Sequence, residues 1–255
     1  MANLHLHLYA PTSLHYSPQM FFDYLLGINA DHPFGRFDEA GVTLDFYSNV
    51  AHAPADFKKS LLDDGSVVVY LGHGVPDPKC KCSRGLSWLG HGIADITPYA
   101  LMDLLKDSRA KLVILATCAS STFGLEKLKA GPAVVVTNSG SDLVTYSAKW
   151  AIALQHFLLL LIGYGVGKDG QPYSLQQTMG VITTTTVLAD ALLASLTSGG
   201  LATGEVSQVV ARVDRNNFHA TIRQALDAAN EAFKANKTTD RCELAHGEGS
   251  MVVFP

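Results

Sequence analysis

A chain of 255 residues carries 19 Lys plus Arg against 23 Asp plus Glu, a formal net charge of −4. With 47% hydrophobic and only 16% charged residues, it has the apolar material for a packed core and is not a disordered polymer. The mild acidity argues against the basic surface that nucleic-acid binding requires, so no nucleic-acid partner is expected.

Four cysteines, Cys80, Cys82, Cys118 and Cys242, are too few for a disulfide scaffold. The opening MANLHLHLYAPTS lacks the basic start and apolar run of a signal peptide, so a reducing cytoplasm is the expected location. The most apolar stretch, Trp150 to Gly163, contains Gln155 and His156. It falls short of the roughly 20 residues a spanning helix needs, so it reads as a core helix and no membrane partner is expected.

In chain order, Asn3 to Tyr9 alternates Leu with His and reads as a strand. Gln19 to Leu26 reads as a helix stopped by Gly27, and a loop rich in Asp, Pro and Gly follows. Val42 to Tyr47 is a strand, and Ala55 to Leu62 a short helix after Pro54, with Gly65 as its stop. VVVYL at 67–71 is a continuous apolar run, the mark of a strand buried on both faces. Gly72 to Ile96 is irregular. Thr97 and Pro98 supply the N-cap and first-turn proline of a helix running to Lys106. LVILA at 112–116 and AVVVT at 133–137 are two more buried strands. Helices are expected at about 147–162, 175–196, 205–213 and 219–234, and MVVF at 251–254 reads as a last strand.

Apolar β-branched runs alternating with helical segments imply an α/β fold: a mainly parallel central sheet with helices on both faces, in one domain spanning 1–255. Sites in such sheets form beyond the carboxyl ends of the strands. His73 follows VVVYLG and Cys118 follows LVILAT, so both should emerge on one rim. A cysteine beside a histidine can lose its proton and act as a nucleophile. Gly74 lets the backbone approach a substrate closely, and its N–H can stabilise an oxyanion.

YLGHG at 70–74 and LVILATCASS at 112–121 resemble the paired motifs of the caspase-like (clan CD) cysteine peptidases, and within them the CHAT family most closely. KAGPAVVVTNSGSD at 129–142 is similar to the family's next core strand and GSMVVFP to its closing strand. The resemblance runs from about Val67 to Phe157, with a weaker echo at the C-terminus. It implies a caspase-like three-layer sandwich and hydrolysis of peptide bonds through an acyl-enzyme. His73 would be the general base, Cys118 the nucleophile, and the N–H groups of Gly74 and Cys118 the oxyanion hole. It implies no cofactor and no metal, a protein or peptide substrate, and room for a regulatory protein partner. Asp142, just past the third apolar strand, matches an acid that in some such families selects Arg or Lys at P1; as a loop residue it could equally cap a helix.

His91, in a second His-Gly, is a rival base but follows no strand. Cys80, Cys82, His91 and His73 could be read as a zinc hydrolase site, although Cys-x-Cys is tighter than the usual zinc spacing. A caspase-like module that binds proteins without cutting them is the other alternative, and the retention of both His73 and Cys118 speaks against it. The loop from Val75 to His91, with Lys79, Lys81 and Arg84, is expected to be a mobile surface segment bordering the cleft.

Overall fold

The structure, a computed structural model, describes residues 4–9, 42–47, 54–80, 82–88, 92–138, 157, 161, 220–235 and 241–253. The chain divides into two compact units. The first comprises Met1–Pro18, Gly41–Thr145 and Thr239–Gly249, and the second Gln19–Ala40, Tyr146–Thr238 and Ser250–Pro255.

The first unit is an α/β structure built on a six-stranded mixed sheet. Its strands are β1 (Leu4–Tyr9), β2 (Val42–Tyr47), β3 (Val67–Leu71), β6 (Leu112–Ala116), β7 (Ala133–Asn138) and β8 (Arg241–His246). Their spatial order is β2-β1-β3-β6-β7-β8. The first five pair in parallel and β8 closes the edge antiparallel to β7. A separate antiparallel hairpin, β4 (His73–Pro76) with β5 (Ser83–Ser87), grows out of the end of β3. Helix α1 (Pro54–Leu61) precedes β3, and α2 (Pro98–Lys106) precedes β6.

The continuous apolar runs of β3 and β6 are buried at every position, as expected for strands covered on both faces. On one face, Tyr9, Val68, Tyr70, Val113, Leu115, Val134 and Val136 pack with Phe57 and Leu61 of α1 and Leu101 and Leu105 of α2. Trp88 joins this layer, in ring contact with Tyr9, Phe57 and Tyr70. Helix α2 starts as the sequence implies: Thr97 Oγ1 accepts from the Ala100 N–H at 3.3 Å, and Pro98 follows it.

Three expectations change. The stretch 72–96 contains the β4–β5 hairpin, with Val75, Leu86 and Trp88 buried. Its strands are four and five residues long, and Ser and Gly fill most of the buried positions of β5, so no apolar pattern marks them. The closing strand of the sheet is Arg241–His246, whose charged residues suit an edge and leave no apolar run to detect. Val252, in the segment expected to be that strand, instead forms an isolated bridge with Thr221.

That bridge belongs to the second unit, where helix α3 (Ile222–Ala235) opens on a reciprocal cap. The Gln224 N–H donates to Thr221 Oγ1 at 3.2 Å, and the Thr221 N–H donates to Gln224 Oε1 at 2.9 Å. Phe157 and Leu161, from the apolar stretch expected to be a core helix, are helical and buried. The helices expected at 19–26, 175–196 and 205–213, and the rest of 147–162, lie outside the described residues. Among the described residues no helix is long and apolar enough to cross a membrane.

Packing of α1 on the sheet rests on Phe57, fully buried against Tyr9, Tyr70 and Trp88. Phe57→Ala should therefore cost about 3–5 kcal/mol in urea unfolding. Tyr99→Ala, on a side chain that is 79% exposed, should stay within about 0.5 kcal/mol. Equal costs for the two would contradict this account of the core.

Candidate functional site

Strands β3 and β6 are parallel neighbours whose last residues, Leu71 and Ala116, face each other in register. The Gly72 N–H donates to the Ala116 carbonyl at 3.3 Å, carrying the pairing one step further. Both chains therefore leave the sheet at the same edge, and His73 and Cys118 follow directly from the two strand ends, each half-buried. The spatial order also reverses direction between β1 and β3, the topology at which open α/β sheets form a crevice beyond their carboxyl ends.

The two turns touch. A Cβ added to Gly74 would lie 2.4 Å from the Cys118 carbonyl oxygen and 2.9 Å from Thr117 Oγ1. Glycine at 74 is thus a requirement of close backbone approach, not of loop flexibility. Tyr70 fastens the histidine side. Its buried hydroxyl donates to the Ser87 carbonyl at 2.8 Å and stands 3.3 Å from the His73 carbonyl, tying both strands of the hairpin to β3. Burial pushes the Tyr70 phenol far above its ordinary range, so it stays a donor at any physiological pH. Burial also lowers the His73 pKa below its ordinary 6.5, which favours the neutral, proton-accepting imidazole.

The cysteine side is a tight turn held by hydroxyls that the sequence reading did not single out. Ala119 has φ 54°, the single positive φ among the described non-glycine residues. Ser120 Oγ accepts from the Thr137 N–H at 2.8 Å and donates to the Leu115 carbonyl at 2.8 Å. Thr137 Oγ1 donates to the Thr117 carbonyl at 2.7 Å. Thr122 Oγ1 donates to the Ala119 carbonyl at 2.7 Å and accepts from the Ser83 N–H at 2.9 Å, joining this turn to the hairpin. The available signal was the Ser-Ser-Thr run directly after a strand, since short hydroxyl side chains bond to nearby backbone and favour turns.

The hairpin is ordered by its own contacts. Arg84 pairs with Asp77 at 3.1 Å across the exposed tip and holds that carboxyl below its usual range. Cys80 and Cys82 are joined to each other there as a disulfide; reduced, they and Asp77 could each offer a metal one ligand atom. His91 and Asp142 lie outside the described residues. Comparison with protein-family models, curated proteins and solved structures finds no match to the chain.

Ser120→Ala would strand the buried Thr137 N–H and remove the donor to Leu115. It should cost about 1–3 kcal/mol in denaturant unfolding, while Ser121→Ala, only half-buried, should cost distinctly less. If the two changes proved equivalent, the network would not be what holds the turn.

Proposed function

We propose that the chain is a cysteine endopeptidase with a caspase-like three-layer sandwich, acting through His73 and Cys118. The single observation that supports this most is the contact of the two strand-end turns: Gly74 lies against the Cys118 carbonyl with no room for a side chain. Fixed neighbouring backbones of this kind hold a base and a nucleophile in constant relation, which is the positioning part of catalysis.

In this reading His73 takes the proton of the Cys118 thiol, and the thiolate attacks the carbonyl carbon of the scissile peptide bond. The N–H groups of Gly74 and Cys118 receive the negative charge on the carbonyl oxygen. The protonated His73 then delivers its proton to the leaving amine as the C–N bond breaks, leaving a thioester on Cys118. Water, deprotonated by His73, attacks the thioester and releases the acid with regeneration of the thiol. No metal or cofactor enters these steps. Asp142 is proposed to face the P1 side chain and to favour Arg or Lys through a charge-assisted pair. A protein or peptide is the substrate.

Cys118→Ala should lower peptidase activity by several powers of ten while leaving the unfolding midpoint nearly unchanged. Activity that survives this change in a clean preparation would refute the proposal. The acid limb also carries information. Protonation of His73 removes the base, and its folded pKa lies below 6.5. The acid limb of the kcat/KM profile should therefore be centred below the pH of an ordinary histidine. A limb centred well above 6.5 would assign the base to another group.

Profiling with peptide libraries tests the specificity. A preference for Arg or Lys at P1 that weakens in Asp142→Ala is expected. An apolar preference, or a profile unchanged by the substitution, would return Asp142 to a structural role.

A further inference from the structure

We propose that the opposite end of the sheet holds a metal site: a divalent first-row transition ion bound by His5, His7 and Asp45, with Asp63 orienting both imidazoles. The alternation of β1 places His5 and His7 on the same face, and the parallel register puts Asp45 of β2 directly opposite His7. Asp63, in the turn between α1 and β3, closes the group from the side. His7 is 5% exposed, and the two imidazole rings lie 4.0 Å apart. One ligand atom from each of His5, His7 and Asp45 can be chosen so that all lie within 4.8 Å of one another.

Hydrogen-bond accounting singles out a cation. Asp63 Oδ2 stands 2.6 Å from His5 Nδ1 and 2.8 Å from His7 Nε2. Asp45 Oδ2 stands 2.9 Å from His5 Nε2 and 3.6 Å from His7 Nδ1. Both nitrogens of both rings therefore face carboxylate oxygens, yet a neutral imidazole has one N–H and one lone pair. In the ion-free arrangement His5 Nε2 is hydrogen-bonded to Asp45 Oδ2 and His7 Nε2 to Asp63 Oδ2; turning the His5 N–H to Asp63, whose Oδ2 is already close to Nδ1, frees the lone pairs of His5 Nε2 and His7 Nδ1 toward Asp45 Oδ2. A divalent ion among those three atoms satisfies every contact without two imidazolium charges in a half-buried pocket. Their separations of 2.9 and 3.6 Å bracket the ligand–ligand spacing of about 3.3 Å that tetrahedral zinc requires.

A carboxylate behind ligating histidines fixes tautomer and ring orientation, the part Asp63 plays here. Imidazole with carboxylate suits zinc and ferrous iron better than calcium or magnesium. Three protein ligands leave a coordination position open. The Tyr47 hydroxyl stands 3.5 Å from both His7 Nδ1 and Asp45 Oδ2.

His7 lies level with Val68, and β3 runs three residues further, to Leu71, before the chain leaves the sheet toward His73. At roughly 3.3 Å per residue that is about 10 Å of strand, and the two sites share no residue, so neither proposal depends on the other.

The test uses the full chain, stripped with a chelator and dialysed. Zn²⁺ is titrated in competition with a chromophoric chelator. Co²⁺ is titrated for its d–d absorption, and Fe²⁺ anaerobically, to rank the ions. The expected result is a single equivalent bound and a rise in the unfolding midpoint with metal. Asp63→Asn should weaken binding by about 10–100-fold. His5→Ala and Asp45→Asn should weaken it further, and in both the metal should no longer raise the unfolding midpoint. Asp45 is nearly half exposed, so Asp45→Asn keeps the test valid if His5→Ala fails to fold. Absence of binding by the folded wild-type chain would leave an ion-pair network and overturn the proposal. Undiminished binding in the folded ligand variants, or loss of binding in Cys80→Ser/Cys82→Ser instead, would overturn it too.

Discussion

The parallel pairing of β3 with β6, in register from Val67↔Leu112 to Leu71↔Ala116, is the constraint on which the rest depends. It sets two chains running in the same direction and ends them together, so whatever follows each strand meets at one edge. A slip of one residue would turn Tyr70 and Leu115 off the α1–α2 layer and carry the hydroxyl that ties the hairpin to the wrong face. Burial of both strands on both faces makes that slip costly, since every side chain along them would change environment. The core thus sets the geometry of the edge, and Leu86, Trp88 and Phe123 from the edge pack back into that core.

Beyond the strands the backbone is held by hydrogen bonds as well as by the packing of Leu86, Trp88 and Phe123. Ala119 adopts a left-handed conformation that disfavours a residue with a Cβ by about 1–2 kcal/mol. Ser120, Thr122 and Thr137 offset this by satisfying backbone groups on both sides of it. The outcome is a stiff turn that presents Cys118 half-buried, facing a glycine that permits contact. Two further buried polar atoms near this edge, Thr117 Oγ1 and Trp88 Nε1, have no hydrogen-bond partner among the described residues.

Much of this was legible in the residues. VVVYL and LVILA announce buried strands because both faces demand apolar side chains, and Thr97-Pro98 announces a helix start because of its capping geometry. The placement of His73 and Cys118 at neighbouring strand ends followed from those assignments and the parallel sheet rule. The β4–β5 hairpin was not legible, since its strands are short and the buried positions of β5 are mostly Ser and Gly, leaving no apolar run. Nor was β8, an edge strand whose charged residues break the apolar pattern. The side-chain cluster at the other end of the sheet could not be read either. Alternation put His5 and His7 on one face, but only the pairing of β1 with β2 brings Asp45 to them.

The central claim is that Cys118 is the thiol made reactive by its place beside the His73 turn. A peptidyl electrophile offered at low concentration, followed by mass mapping of every cysteine, tests it most directly. The account predicts modification of Cys118 that is suppressed in His73→Ala, with Cys242, which is buried, left unmodified. Modification of another cysteine in preference to Cys118, or labelling of Cys118 that is indifferent to His73, would contradict it.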